Sequence, residues 1–212
     1  MSLRTVLTNG TVVTGYAKLK NCALYITEEG EIGDIFNMRR LEEKHFPPDT
    51  IMIDVQGSYI MPGFIDSHIH GIGGFGTEDC KPASILGMSE RLADFGVSAF
   101  MPTVYTDKLD VMLASIQSIV EAMGSEQGAK IMGVNLEGPF ISMARVGAQN
   151  PEGVLPVNLE VFNQLIEAGK GKILCMTVAP ELKHMRELAL LAREKNIVLL
   201  AGHTDATYEN IM

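Results

Sequence analysis

The sequence has few of the features that mark secreted, membrane-spanning or disulfide-bonded proteins. It contains three cysteines, Cys22, Cys80 and Cys175, and no Cys-x-x-Cys spacing. We therefore expect free thiols rather than disulfide halves or zinc ligands, as in a reducing compartment. No apolar run approaches the roughly 18 residues of a membrane span, and no signal peptide is visible. These absences predict a cytoplasmic protein with no membrane partner.

The sequence also has fewer basic than acidic residues. Lysine and arginine number 17 against 26 aspartates and glutamates, for a net charge of −9. This balance excludes nucleic acid as the main partner, because phosphate backbones are bound by clustered cations. It does not exclude local binding of a small anionic substrate. With 212 residues, 46% of them hydrophobic and 20% charged, the chain can bury one sizeable core.

Two kinds of sequence pattern divide the chain. Residues 1–56 contain short apolar segments separated by turns, and Asn9 and Gly10 predict a hairpin between strands at 5–7 and 11–13. We expect a small β-sandwich-type domain here, incomplete without strands from the C-terminal part. Over residues 57–212, strands alternate with amphipathic helices. The predicted strands of this second part are 59–65, 97–104, 131–136, 172–178 and 197–201.

A pair of histidines ends the first strand of the second part. His68 and His70 are two residues apart, so on a strand both side chains point to the same side and can bind one metal ion. Two structural histidines bonded to backbone carbonyls are the alternative. Asp66 shares their face and is expected to orient a ligating histidine. The following segment, 71–76, fits Gly-x-Gly-x-x-Gly, but the next helix begins only near Pro82, which favours a loop over the site rather than a dinucleotide site.

Two later strands end in the same way. Glu137 follows an apolar run, and a buried carboxylate must be paired, ligated or shifted in pKa. A structural salt bridge is the alternative for Glu137. His203 follows the strand at 197–201. Metal-binding side chains at the carboxyl ends of three alternating strands predict a partial TIM-like (β/α) barrel of about five βα units, whereas a complete barrel has eight.

These motifs together resemble the amidohydrolase superfamily and, within it, the N-acetylglucosamine-6-phosphate deacetylases. The likeness covers nearly the whole chain. The first of its motifs is shared across the superfamily, and the Leu-Glu-Gly-Pro-Phe and Ala-Pro-Glu segments are specific to the deacetylases. The segments that carry it are Pro62-Gly63-Phe64-Ile65-Asp66 with the two histidines, Leu136-Glu137-Gly138-Pro139-Phe140, Thr177-Val178-Ala179-Pro180-Glu181 and Gly202-His203-Thr204-Asp205-Ala206.

The resemblance implies a metal-dependent hydrolase with a small amino-sugar phosphate as its partner. Glu137 and His203 would bind the principal metal, and His68 and His70 a second ion, so that the site holds one or two ions of zinc or iron. The reaction would convert N-acetylglucosamine 6-phosphate to glucosamine 6-phosphate and acetate. Separately, the open edges of a five-stranded partial barrel predict a homo-oligomer, namely a dimer.

The sequence departs from the family pattern in two places. Gln149 and Asn150 are the expected substrate-binding residues, but Gln149 stands where the family usually has histidine and cannot become cationic. Two alternatives therefore stay open: an amidohydrolase for a cyclic amide or another N-acyl sugar, and a non-catalytic metal-binding or assembly fragment. The resemblance also places the general-base aspartate beyond Met212, so we expect no catalytic residue within these 212 residues and little activity from them alone.

Overall fold

The computed structural model describes residues 3–211. They form two compact units, divided between Pro62 and Gly63 rather than after residue 56. The division lies later because the predicted strand at 59–65 is two strands. Tyr59–Ile60 pairs within the first unit, and Phe64–Ile69 pairs within the second. Pro62 has no N–H group to donate to a sheet, which favours a break at this point.

The first unit contains one five-stranded mixed sheet. Its strands follow the order β3-β2-β1-β4, with β5 also paired to β1. The β1–β2 and β2–β3 pairs are antiparallel, whereas β4 and β5 run parallel to β1. The strand-rich unit ahead of the barrel is thus confirmed. The strands are β1 (Thr5–Val13), β2 (Lys18–Ile26), β3 (Ile32–Asn37), β4 (Ile51–Asp54) and β5 (Tyr59–Ile60).

The hairpin predicted at Asn9 and Gly10 is wrong. Strand β1 runs through both residues, with irregular register against β2 on either side of Gly10. Asn9 adopts a left-handed φ of 56°, as in a β-bulge. A Cβ at Gly10 would collide with the side chain of Ile60. The same residue types that favour a two-residue turn here form a bulge, and the chain reverses at residues 14–17 instead.

The second unit is a partial parallel (β/α) barrel, as predicted. Its main strands lie in the order β6-β9-β11-β12-β13, and every neighbouring pair is parallel. A short strand, β10, also pairs with β9, and β7 and β8 form a separate hairpin. The strands are β6 (Phe64–Ile69), β7 (Gly71–Ile72), β8 (Phe75–Gly76), β9 (Val97–Val104), β10 (Lys130–Ile131), β11 (Val134–Glu137), β12 (Ile173–Val178) and β13 (Val198–Ala201).

Helices connect the parallel strands and bury one apolar face against them. In the first of them, Ile85, Met88 and Leu92 are buried, whereas Phe95 lies beyond the helix end and is exposed. The α-helices are α1 (Pro82–Ala93), α2 (Leu109–Ala122), α3 (Leu159–Ala168), α4 (Met185–Glu194) and α5 (Tyr208–Ile211). Short 3-10 helices occur at Met38–Glu43, Thr77–Asp79, Met143–Arg145 and Pro151–Gly153.

Two predictions from composition can be compared with the structure. Cys22, Cys80 and Cys175 are all free thiols, as expected. Across residues 3–211, no helix combines the length and apolar character that crossing a bilayer requires.

Candidate metal centre

The carboxyl ends of three parallel strands carry the four predicted ligands. His68 lies in the last part of β6, and His70 directly follows that strand. Glu137 is the last residue of β11, and His203 follows the end of β13. Because all of these strands are parallel, their carboxyl ends meet at one edge of the sheet. The structure therefore brings together all four side chains.

The ring of His70 is held on two sides. Its Nδ1 lies 2.9 Å from the carbonyl oxygen of Thr103. Its plane stacks on the ring of Tyr105, with the centroids 3.6 Å apart. A carbonyl oxygen only accepts, so Nδ1 must carry the proton of this bond. Its Nε2 then faces away from Thr103 and lies 3.3 Å from Nε2 of His68.

The ring of His203 is likewise oriented by a hydrogen bond to a backbone carbonyl. Its Nδ1 lies 2.9 Å from the carbonyl oxygen of Arg145, and its own carbonyl accepts a 2.8 Å hydrogen bond from the N–H of Ser142. Its backbone adopts a left-handed φ of 49°, which turns the chain directly after β13. Its Nε2 therefore faces the other way, and this atom lies 2.9 Å from Oε1 of Glu137.

Glu137 lies at the centre of the group and is only 7% exposed. Its Oε2 lies 2.9 Å from Nε2 of His70, and its Oε1 lies 3.6 Å from Nε2 of His68. Burial alone would raise the pKa of Glu137, but hydrogen bonds from His70 and His203, with the charge on His68, lower it to about 2. The carboxylate is ionised at neutral pH.

The donor set fits a divalent metal. With each Nδ1 proton already given to a carbonyl, His70 and His203 can donate to Glu137 only as imidazolium ions. A divalent cation would displace the extra protons from the two imidazolium rings. The neutral rings of His70 and His203 and the carboxylate of Glu137 would then all face the cation. Candidate ligand atoms of His68, His70 and Glu137 lie within 4.8 Å of one another. Imidazole and carboxylate are the ligand types of zinc and non-haem iron sites.

The residue predicted to orient a histidine does something else. Asp66 Oδ1 accepts a 3.1 Å hydrogen bond from the backbone N–H of His68, not from its ring. The ring nitrogen Nδ1 of His68 instead lies 3.4 Å from the side-chain amide of Asn135. Orientation of the histidine rings thus comes from two backbone carbonyls and an asparagine rather than from a carboxylate.

The two expected substrate-binding residues have partners within the protein. The Gln149 side chain contacts Thr106 and Glu137. Asn150 donates a 2.7 Å hydrogen bond to Asp107 and accepts one from the N–H of Glu152. These contacts do not test a role in substrate binding, which stays a prediction for both residues.

A cavity of about 640 Å³ opens beside the two histidines. The predicted loop over the site is a hairpin, β7–β8, turned by Gly73 and Gly74 with φ of 63° and 86°. It forms one wall of the cavity, and helix α1 begins after it, so the segment lacks the helix start that a dinucleotide site needs. No lysine or arginine lines this cavity among residues 3–211. The lining residues are 68–76 with Glu78, Asp79 and Tyr105.

Sequence reasoning missed three side chains that support the site. Tyr105 and Thr106 follow the end of β9, and the strand-end rule that found the ligands could have found them too. The third is Glu181, which ends the Ala-Pro-Glu segment and for which the sequence predicts no function. It accepts hydrogen bonds from the hydroxyl of Thr204, at 2.5 Å, and from the N–H of Asp205, at 2.8 Å. Glu181 therefore anchors the loop that carries His203.

Comparison with known proteins finds relatives among sugar-phosphate deacetylases. The N-acetylglucosamine-6-phosphate deacetylase of Bacillus subtilis (strain 168) is 35% identical over 203 residues, which cover 92% of this chain and 49% of that protein. The N-acetylgalactosamine-6-phosphate deacetylase of Escherichia coli O157:H7 is 26% identical over 188 residues, which cover 87% of this chain and 50% of that protein. The chain thus spans about half the length of these curated relatives.

A solved structure shows the same fold. The crystal structure of N-acetylglucosamine-6-phosphate deacetylase from Pasteurella multocida matches 98% of this chain and 52% of its own, with a TM-score of 0.85 and 24% identity. The amidohydrolase family matches residues 59–211, which include all four predicted ligands. The chain belongs to the amidohydrolase family.

Proposed function

We propose that this chain forms the metal-binding part of a deacetylase that hydrolyses the acetamide of N-acetylglucosamine 6-phosphate to glucosamine 6-phosphate and acetate. The observation that carries the proposal is the contact of Glu137 with three histidines at the carboxyl ends of the barrel strands. Relatives spanning twice the length of the chain support the choice of substrate, since the B. subtilis protein is named for this deacetylation.

Within this proposal Glu137 and His203 hold the principal metal, and His68 and His70 hold a second ion. Zinc or iron fits the imidazole and carboxylate donors. When bound, such a metal supplies the Lewis acidity that amide hydrolysis needs. The residues of the chain contribute by presenting their ligand atoms in fixed directions, because carbonyl groups hold the two imidazoles and burial shields the carboxylate from water.

The sugar occupies the cavity beside His68 and His70 in this proposal. The lining carries Glu78 and Asp79, and among the residues described it carries no lysine or arginine, so it does not supply cations for the phosphate. The part of the substrate that this cavity suits is therefore the neutral acetamido sugar. We further propose a cytoplasmic location, which the three free thiols support.

Metal binding tests the proposal directly. Titration of the 212-residue chain with Zn²⁺ and Fe²⁺ against a competing chelator should give one or two ions bound per chain. Glu137→Ala should abolish tight binding, because it removes the carboxylate that contacts all three histidines. His184→Ala is a matched control, since His184 is an exposed histidine on the same unit that pairs with Glu187. Equal binding by Glu137→Ala and the unaltered chain would refute the proposed centre.

Acetate release tests the reaction. We expect little turnover of N-acetylglucosamine 6-phosphate by residues 1–212, because the resemblance places the general-base aspartate elsewhere. Robust metal-dependent turnover would show that this aspartate is dispensable. A reading frame extended past Met212, if it carries that aspartate, should restore activity.

The identity of the sugar needs its own comparison. The E. coli relative is named for the galactosamine epimer, and Gln149 stands in place of the usual histidine. A panel of N-acetylglucosamine 6-phosphate, N-acetylgalactosamine 6-phosphate, unphosphorylated N-acyl sugars and a cyclic amide should be assayed with the extended protein. Preference for the galactosamine epimer or for a cyclic amide would replace the proposed substrate.

A further inference from the structure

Gln149 is buried and both ends of its amide are engaged. It is 6% exposed. Its Oε1 accepts a 2.7 Å hydrogen bond from the backbone N–H of Thr106, and its Nε2 donates a 2.7 Å hydrogen bond to Oε2 of Glu137. Both ends of the amide are therefore held by groups of the protein.

The orientation of the Gln149 amide follows from the chemistry of its partners. The N–H of Thr106 can only donate, so it requires the oxygen of the amide. The ionised carboxylate of Glu137 can only accept, so it requires the nitrogen. Reversing the amide would break both bonds and leave a buried N–H and a buried charge each facing a group of the same kind. One orientation is therefore fixed.

A second contact closes the arrangement. The hydroxyl of Thr106 donates a 2.6 Å hydrogen bond to the backbone carbonyl of Glu137. Thr106 thus binds the backbone of Glu137 directly and binds its carboxylate through Gln149. The loop after β9 and the end of β11 are held together by these three hydrogen bonds, all of them buried.

We propose that Gln149 is a positioning residue that fixes the rotation of the Glu137 carboxylate. By occupying one acceptor site of Oε2, it keeps Oε1 turned toward His203, whose Nε2 lies 2.9 Å away. This inference rests on the proposed metal centre and differs from the substrate contact that the sequence predicts for Gln149. It also explains why glutamine suits this position, because its amide offers an N–H donor to Glu137 and an oxygen acceptor to Thr106 without adding charge beside the metal.

Cobalt binding to the 212-residue chain tests the proposal, because Co²⁺ reports ligand number and geometry in its visible absorption. Gln149→Met keeps the length of the side chain but removes both hydrogen bonds, and Gln149→Asn keeps the amide but shortens its reach. Loss of a group that orients a metal ligand typically weakens metal affinity about 10–100-fold. We expect that loss in both variants, with an altered cobalt spectrum and near-native circular dichroism.

The controls separate positioning from folding. Gln164→Met makes the same change at an exposed glutamine of α3 and should leave cobalt affinity unchanged. A merely structural role for Gln149 would lower the melting temperature of the metal-free chain while the folded protein kept its affinity and spectrum, and that result would overturn the proposal. If Gln149→Met does not fold, Gln149→Asn decides by the same readouts. Failure of the unaltered chain to bind cobalt would instead refute the metal centre itself.

Discussion

At the scale of single residues, Gly138 explains how Thr106 can approach the end of β11, where Glu137 lies. The backbone φ of Gly138 is 92°, a conformation that favours glycine. An added Cβ would collide with the hydroxyl oxygen of Thr106, the atom that donates to the Glu137 carbonyl. The glycine after Glu137 is thus required both for its backbone conformation and for the close contact beside it.

We expect Gly138→Ala to weaken both stability and metal binding. The positive φ alone costs about 1–2 kcal/mol, and displacement of Thr106 adds to it. Gly96→Ala is the matched control, because Gly96 has a φ of 76° and no heavy atom within 4 Å of an added Cβ. Urea unfolding should show a larger loss for Gly138→Ala, and only this variant should bind cobalt more weakly. Equal losses in the two variants would exclude the Thr106 contact as a cause.

The lowered pKa of Glu137 predicts how the stability of the metal-free chain changes in acid. Its pKa is about 2 in the folded protein against an ordinary value of 4.5. A lowered carboxyl pKa stabilises the folded state above about pH 4.5, and this contribution is lost as pH falls toward 2. The shift corresponds to about 3 kcal/mol.

Urea unfolding between pH 2 and pH 5 measures this contribution. The unaltered chain should lose stability steeply as pH falls, whereas Glu137→Gln should show a shallower dependence because its side chain does not titrate. Parallel curves for the two proteins would show that Glu137 is not held ionised by its histidine partners.

The candidate ligands could be predicted from the sequence, but the groups that orient them could not. His68, His70, Glu137 and His203 each lie at or just after the end of an apolar strand, and this order is visible in the residues themselves. The acceptors for two of the rings are the backbone carbonyls of residues 103 and 145. Every residue has a carbonyl, so residue type carries no signal for this role. Asp66 was the natural choice by residue type, and it bonds to backbone instead.

At the scale of secondary structure, the sequence predicts most strands but not all of their partners. The strands predicted at 97–104, 172–178 and 197–201 form within one residue of those bounds, whereas the run predicted at 131–136 divides into β10 and β11. The run predicted as one strand at 59–65 divides around Pro62: Tyr59–Ile60 pairs with β1, and Phe64–Ile69 pairs with β9. Pairing depends on residues distant in the chain, which local pattern does not include. The bulge at Asn9 and Gly10 has the same origin.

The loop after β13 depends on Glu181, which lies after β12. Burial would raise the pKa of Glu181, but hydrogen bonds from the Thr204 hydroxyl and the Asp205 N–H lower it, so its carboxylate is ionised and holds this loop. We expect Glu181→Ala to weaken cobalt binding several-fold, since His203 loses its support. Amide hydrogen exchange over residues 202–207 should become faster, because the loop opens more readily.

A glutamate on the neighbouring helix provides the comparison for this loop. Glu187→Ala removes an exposed carboxylate of α4 that contacts only His184 among the partners described. It should leave both cobalt affinity and exchange over 202–207 unchanged. If Glu181→Ala bound cobalt as tightly as Glu187→Ala, the loop would be held by its contacts with Ser142 and Arg145 alone.

At the scale of the whole molecule, the barrel unit presents apolar strands with one neighbour each. Among the residues described, β6 pairs only with β9, and β13 pairs only with β12. Ile65 on β6 is 64% exposed, and Val198 on β13 is 60% exposed. Both strands also present backbone groups along their outer edge. Exposed apolar strand edges are templates for pairing with another chain.

We therefore expect the 212-residue chain to self-associate through these strands, which agrees with the predicted homo-oligomer. Light scattering coupled to size-exclusion chromatography should give a mass above that of one 23.1 kDa chain. Ile65→Lys with Val198→Lys should shift the chain toward monomer, because charge on an edge strand opposes pairing.

Leu190→Lys places the same charge on an exposed apolar position of α4 and should not shift the mass, since a helix surface offers no unpaired strand edge. Equal dissociation by the helix and strand variants would place the contact outside the sheet edges. A monodisperse monomer for the unaltered chain would show that these strands are too short or too twisted to pair between copies, despite their exposed apolar side chains.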